Sequence, residues 1–279
     1  MKKIFAMALA LAMALSLAAC GSSGASSGSS AGSAASGSAS GSAAGSALTT
    51  VEAGKLIMST NASFPPYEMV KDDGSFEGID VDIASKIAEK LGLELEVMDM
   101  DFTAAVNAPA EGKADMCMAG LTVNDERKKN LDFSDTYANG VQVVIVPENS
   151  DITSVDDLAN DKMIGTQEGT TGYNYCSASP EDGGYGEDHV IAYTNGATAV
   201  QALLAGKVDC VVIDSQPAQE YVKANPGLKI LDTEFTNEDY AIAVAKGNTA
   251  LLDAINGALN ELISDGTVQT IIDSYINAG

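Results

Sequence analysis

Arg127 and Asp214 are the two residues whose surroundings suggest chemistry. Arg127 stands five residues past Thr122 in Gly120-Leu121-Thr122-Val123-Asn124-Asp125-Glu126-Arg127. Its planar guanidinium can bond both oxygens of a carboxylate at once. On an exposed helix the same residue would only pair with a nearby Asp or Glu. Asp214 closes the apolar run Cys210-Val211-Val212-Ile213 and offers a carboxylate to a cation. Between them in the chain, Gly169-Thr170-Thr171-Gly172 reads as a small-residue turn opening a helix, where free backbone N–H groups suit an anion.

The elements that must position these groups come in two copies. Ala110-Glu111-Gly112-Lys113-Ala114-Asp115 leads into the apolar run Met116–Ala119, and Leu204-Ala205-Gly206-Lys207-Val208-Asp209 leads into Cys210–Ile213. Each reads as a helix end, a Gly-Lys-x-Asp turn with glycine in the left-handed cap, and a buried strand. A second pairing precedes these. Lys55–Met58 runs into Ser59–Tyr67, and Lys162–Gly165 runs into Thr166–Tyr173, each a short strand entering a turn. Helical spacing follows over Ile79–Leu91 and Ala197–Leu204. Asn124-Asp125-Glu126 reads as the start of a short helix. Strands alternating with helices imply parallel α/β sheets, and the duplication implies two of them.

Ligands of open α/β sheets sit outside the carboxyl ends of the strands. Asn61, Gly120, Thr122, Thr170 and Asp214 all fall there, with Asp214 the only carboxylate among them. An anion pocket beside a cation acceptor is a zwitterion site, and so an α-amino acid site.

Six stretches in order then carry a resemblance. They are Asn61-Ala62-Ser63-Phe64-Pro65-Pro66-Tyr67-Glu68, Gly78-Ile79-Asp80-Val81-Asp82, Met100-Asp101-Phe102, the Gly120–Ser134 stretch, Gly169-Thr170-Thr171-Gly172 and Val211-Val212-Ile213-Asp214. Together residues 51–279 resemble the extracytoplasmic amino-acid-binding proteins of ABC importers, the family that includes glutamine- and histidine-binding proteins. The resemblance implies an α/β fold of the two-lobed periplasmic-binding-protein type II kind, each lobe a mainly parallel sheet flanked by helices. Lobe 1 would be 48–140 plus 238–279 and lobe 2 would be 141–237, joined by crossing strands near Tyr137–Val141 and Glu238–Ile242. The helix bearing Leu251, Leu252, Ile255, Leu259 and Leu262 would pack back on lobe 1. It further implies that Arg127 grips the α-carboxylate with help from the Thr122 and Thr170 N–H groups. Asp214 would take the α-ammonium with the Gly120 carbonyl and the Thr122 hydroxyl, and Asn61, Phe64, Phe102 and Gln167 would shape the side-chain pocket. Phe64 and Phe102 also read as core aromatics.

The implied function is capture of an L-amino acid by a monomer and delivery to ABC permease subunits, with no cofactor, no metal and no catalysis. A ligand sensor acting on a partner protein, and a dehydratase or lytic enzyme on the same fold, are the alternatives. Asn61 and Gln167 are neutral, which points away from strongly basic ligands unless another carboxylate such as Asp239 restores a cation site. Pro109 should kink or restart its helix.

The start of the chain reads differently. Lys2-Lys3, the apolar run Ile4–Leu17 and Leu17-Ala18-Ala19-Cys20 form a secretory leader that resembles a bacterial lipobox. That resemblance implies cleavage before Cys20, diacylation of Cys20 with fatty acid such as palmitate, and tethering to the outer face of the cell membrane, as in Gram-positive bacteria. Residues 21–47 are almost wholly Gly, Ser and Ala, a flexible leash spanning roughly 30 Å. The formal net charge of −24 argues against nucleic acid and anionic lipid as partners. Cys117 and Cys210 lie in apolar runs and read as core, Cys176 is left over, and a disulfide among the three stays open. The one histidine, His189, reads as a surface residue.

Overall fold

The computed structural model describes residues 48–232 and 235–276. The leader, Cys20 and the 21–47 linker lie outside the described residues.

The chain begins with β1 (Lys55–Thr60), followed by a small antiparallel sheet of β2 (Ser63–Phe64), β3 (Glu68–Val70) and β4 (Phe76–Glu77). Helix α1 (Ile79–Leu91) forms where the sequence predicts it. Ile79, Ile83 and Ile87 are spaced to share its inner face and are fully buried. Gly92 ends it in the left-handed conformation, its N–H turned back to the carbonyls of Ala88 and Glu89. Strand β5 (Glu94–Asp99), helix α2 (Phe102–Asn107) and strand β6 (Met116–Cys117) follow. Helix α2 stops before Pro109, whose ring would clash with the preceding turn, so the proline terminates the helix. Strand β6 is shorter than the apolar run Met116–Ala119 suggested, because the chain turns away toward Gly120.

A 3-10 turn over Arg127–Lys129 leads into the long strand β7 (Leu131–Pro147). Then come β8 (Ile164–Gln167), α3 (Thr171–Ser177), β9 (Val190–Tyr193), α4 (Gly196–Leu204), β10 (Cys210–Asp214), α5 (Ser215–Ala224) and β11 (Leu228–Ile230). Strand β8 runs further than Lys162–Gly165 implied, taking Thr166 and Gln167 into the ladder beside β9. Strand β12 (Thr236–Ala245) and helices α6 (Thr249–Ser264) and α7 (Thr267–Ile276) close the chain.

Among the described residues, nine strands join in one sheet, ordered β5-β1-β6-β12-β7-β10-β8-β9 with β11 on β7. The first half is parallel within itself (β1 with β5 and β6), as is the second (β8 with β9 and β10). The antiparallel strands β7 and β12 run side by side through the middle, with Glu238 opposite Gly140 and Tyr240 opposite Ala138. Helix α6 buries Leu251, Ile255, Leu259 and Leu262 and leaves Leu252 part-buried, packing the apolar stripe read from sequence against α1 and β7.

The repeat is real at the level of single atoms. Gly112 and Gly206 adopt φ of 68° and 66°. The following Asp115 and Asp209 then bond the strand beside them in the same way, described below. Cys117, Cys176 and Cys210 are all buried and free. His189 is half-buried rather than fully exposed, 3.8 Å from Asp161 and away from the sheet's centre.

Candidate ligand-binding cleft

The carboxyl ends of β1, β6, β8 and β10 open onto one narrow cleft. All nine residues expected at the site line it. Asn61, Phe64, Phe102, Gly120, Thr122 and Arg127 come from the first half, and Gln167, Thr170 and Asp214 from the second. The rule that ligand groups gather past strand ends accounts for this.

Arg127 is placed by its turn: Asn124 Oδ1 accepts from the Arg127 N–H at 2.8 Å, which starts the 3-10 turn predicted from Asn124-Asp125-Glu126. The guanidinium lies over the Phe102 ring, 5.4 Å from its centroid, and gains from the ring's negative face. Nη1 donates to the Thr122 carbonyl at 2.6 Å and Nη2 to the Gly169 carbonyl at 3.2 Å. Two of its five donor hydrogens are used, one within the first half and one across to the second, and the rest stay available. Phe102 and Phe64 are both cleft walls and members of the core, so the two readings of them hold together.

Gly120 has φ of +51°, and a Cβ there would meet the Phe64 ring at 2.6 Å, so only glycine fits beneath that ring. Its N–H donates to Asp80 Oδ2 at 2.9 Å, and Asp80 Oδ1 accepts from the Tyr137 hydroxyl at 2.7 Å. Burial pushes the Asp80 carboxyl up to about 6, although the Gly120 N–H and the Tyr137 hydroxyl pull it back. Glu68 sits beside it in the cleft wall. Burial first, then the Asp80 charge, hold the Glu68 carboxyl well above the usual range. As a carboxylate it has no donor; as an acid it donates to Asp80.

Across the cleft, Thr170 caps α3: its hydroxyl oxygen accepts from Tyr173 N–H at 3.2 Å and its hydroxyl donates to the Gln167 carbonyl at 2.8 Å. The Thr170 N–H also points to that carbonyl, at 3.4 Å, and not into the space between the halves. Gln167 Nε2 donates to Asn61 Oδ1 at 2.9 Å, while Asn61 Nδ2 donates to the Met100 carbonyl at 2.9 Å.

Asp214 departs from expectation in not standing alone. Its Oδ1 accepts from the Tyr240 hydroxyl and its Oδ2 from Gln142 Nε2 at 2.8 Å. The same Gln142 nitrogen donates to Glu238 Oε2 at 3.1 Å, so one amide spans two carboxylates. Glu238 Oε2 also accepts from the Thr122 hydroxyl at 2.8 Å, which takes that hydroxyl away from the role expected for it. Burial, then the Glu238 charge, push the Asp214 carboxyl up to about 7. Asp239, named from sequence as a spare carboxylate, is exposed and bonded to Asn139. Residues of a strand alternate sides, so Glu238 and Tyr240 face inward and Asp239 faces out.

Glu68, Gln142, Glu238 and Tyr240 are the site residues that sequence reasoning missed. Gln142 and Glu68 each carry a visible sign, one polar residue within an apolar run: Val141-Gln142-Val143-Val144 and Pro66-Tyr67-Glu68-Met69-Val70.

Over most of the described residues the chain is similar to known proteins. Residues 56–278 match the model for bacterial extracellular solute-binding proteins, family 3. The arginine-binding extracellular protein ArtP of Bacillus subtilis is 33% identical over 221 residues, covering 78% of this chain and 84% of that protein. The L-cystine-binding protein TcyJ of Escherichia coli is 30% identical over 230 residues, covering 81% and 84%. Among solved structures, an ancestral arginine-binding protein bound to glutamine is 40% identical with a TM-score of 0.73, covering 80% of this chain and 97% of that one. The fold is the α/β periplasmic-binding-protein fold of these structures, and the chain belongs to family 3 of the bacterial extracellular solute-binding proteins, a family of binding proteins rather than enzymes.

Proposed function

We propose that this protein captures an L-amino acid in the cleft and delivers it to the permease of an ABC importer. One observation carries the reading: Arg127, the cation of the cleft lining, and Asp214, backed by Glu238, are contributed by opposite halves of one sheet to one cleft. The spare donors of Arg127 take the α-carboxylate, with the Thr122 N–H beside them. Asp214 and the Gly120 carbonyl take the α-ammonium. Asn61, Phe64, Phe102 and Gln167 enclose the side chain. The relatives named above bind arginine, cystine or, in one case, glutamine, which supports an amino-acid cargo. The neutral Asn61–Gln167 pair favours a neutral polar or small side chain here.

Residues 48–140 with 238–279, and 141–237, act as two lobes that close over the ligand by bending at the crossing segments of β7 and β12. Diacylation of Cys20 and the 21–47 leash hold the monomer at the outer face of the membrane, within reach of the permease.

Thermal unfolding against the common L-amino acids, cystine and ornithine tests the reading. A ligand at about 100 times its dissociation constant adds roughly 2.7 kcal/mol and raises the midpoint visibly. A rise with one or a few related amino acids supports the assignment. No rise after ligand has been stripped by unfolding and refolding counts against it.

A further inference from the structure

The ammonium end of the cleft holds two buried acids and no cation of its own. Asp214 and Glu238 are 8% and 5% exposed, and the Gln142 amide nitrogen is 2.8 Å from one and 3.1 Å from the other. Arg127, the nearby cation, spends its bonds on the Thr122 and Gly169 carbonyls instead. The other groups facing the pair add no positive charge. They are Tyr240 on β12, Thr122 after β6, Tyr175 on α3, and Tyr67 and Glu68 at the start of β3. Glu238 Oε1 is buried with no hydrogen-bond donor. Two like charges in so dry a place oppose each other's ionisation. Gln142 can bridge them, but an amide brings no charge.

We infer that the Asp214–Glu238 pair is a proton-for-ammonium exchange site: in the empty cleft the two carboxyl groups hold one proton between them, and the ligand's ammonium group displaces that proton. The step balances as R–NH3⁺ plus the singly protonated pair giving the R–NH3⁺ contact with the fully ionised pair plus a proton released to solvent. No covalent bond other than the acid's O–H is broken. Glu238 acts here as a positioning residue: burial and the second acid together keep a proton on the pair, and the second carboxylate later helps hold the cation. The raised Asp214 acid constant, about 7, puts this exchange in the neutral range. This inference rests on the amino-acid reading of the cleft.

The test is proton release measured by calorimetry in buffers of different ionisation enthalpy, with L-glutamine and L-arginine as probes. Neither probe titrates near neutral pH, so any proton comes from the protein. Expected for the wild type is release approaching one proton per ligand at about pH 6, and affinity that falls about tenfold per pH unit below about pH 7. Glu238→Gln should reduce the release, since Asp214 then ionises without its neighbour's charge while burial still favours its protonated form. A deaminated analogue, carrying the carboxylate but no ammonium, should bind the wild type with no release, and this arm does not depend on a variant folding. Binding of a probe without proton release, or release of equal size with the analogue, overturns the exchange while leaving amino-acid binding in place. Failure of both probes and of the whole amino-acid panel to bind overturns the underlying reading, and the exchange with it.

Discussion

Gln167 Nε2 donates to Asn61 Oδ1 at 2.9 Å, joining the end of β8 to the end of β1 across the cleft. On the proposed reading this amide pair faces the ligand's side chain, and it offers hydrogen bonds without net charge. Asn61→Asp should therefore shift preference toward arginine over glutamine. A charge-assisted bond exceeds a neutral one by roughly 1–1.5 kcal/mol, or about tenfold in the affinity ratio. Titration of both amino acids against both proteins measures it. An unchanged ratio would remove Asn61 from the side-chain pocket.

Arg127→Ala should weaken amino-acid binding at least about 100-fold, the loss of one or two charge-assisted bonds at roughly 1.5–3 kcal/mol each. Arg127→Lys should recover only part, because an ammonium cannot bond both carboxylate oxygens in one plane. Both variants should stay folded, since the side chain is half-buried and its contacts are with two backbone carbonyls and the Phe102 ring. Circular dichroism checks the fold and calorimetry the binding. Wild-type affinity in Arg127→Ala would sink the carboxylate assignment.

How much of this could be read beforehand depends on the range of the interaction. Helix α1 was legible to the residue because Ile83, Ile87 and Leu91 repeat at helical spacing within Ile79–Leu91. The strand-end residues Asn61, Gly120 and Asp214 were legible because the repeat marks where each strand stops. Glu238 was not, although it lies in the segment expected to cross between lobes, which falls within β12. Its role comes from pairing with β7, which lies about a hundred residues away and brings Gln142 between it and Asp214. One residue of strand parity decides that Glu238, and not Asp239, is buried against Gln142 and Thr122. Sequence spacing alone does not disclose which parity is buried when both neighbours are acidic.

Asp115 and Asp209 give a stability prediction from the repeat. Asp115 Oδ2 accepts from Ile57 N–H at 2.7 Å and Asp209 Oδ2 from Met163 N–H at 2.8 Å. In return the Asp115 N–H donates to the Ile57 carbonyl at 2.9 Å and the Asp209 N–H to the Met163 carbonyl at 2.8 Å. Asp115 also accepts from Val51 N–H at 2.7 Å, and its bond to Ile57 is buried, whereas the Met163 bond is exposed. Asp115→Ala should cost about 2–3 kcal/mol, because a buried N–H is left without a partner. Asp209→Ala should cost about 1 kcal/mol or less. Urea unfolding of the two variants checks the order; equal losses would mean that the exposed copy is as dry as the buried one.

The stability of the empty protein should fall as the pH rises from about 5 to about 8. Asp80 and Asp214 have folded acid constants raised from 3.8 to about 6 and about 7, and Glu68 is raised too, all chiefly by burial. A carboxyl that holds its proton more tightly when folded favours the folded state while protonated. That advantage is complete below the unfolded value and is lost as pH rises through the folded one. These groups therefore make the empty protein lose stability between about pH 4 and about pH 7, by a few kcal/mol at about 1.4 kcal/mol per unit. Exposed carboxylates with lowered values, such as Asp151 with Lys162 and Asp132 with Lys246, work the other way but only below about pH 4. The urea midpoint of the empty protein should thus be higher at about pH 5 than at about pH 8. Saturating amino acid should reduce the difference, because an ammonium group beside Asp214 stabilises its ionised form and cancels that share. A midpoint that rises steadily from about pH 5 to about pH 8 in the empty protein would show that Asp80 and Asp214 are ionised at no cost in the fold, and would count against a buried acidic cluster behind the cleft.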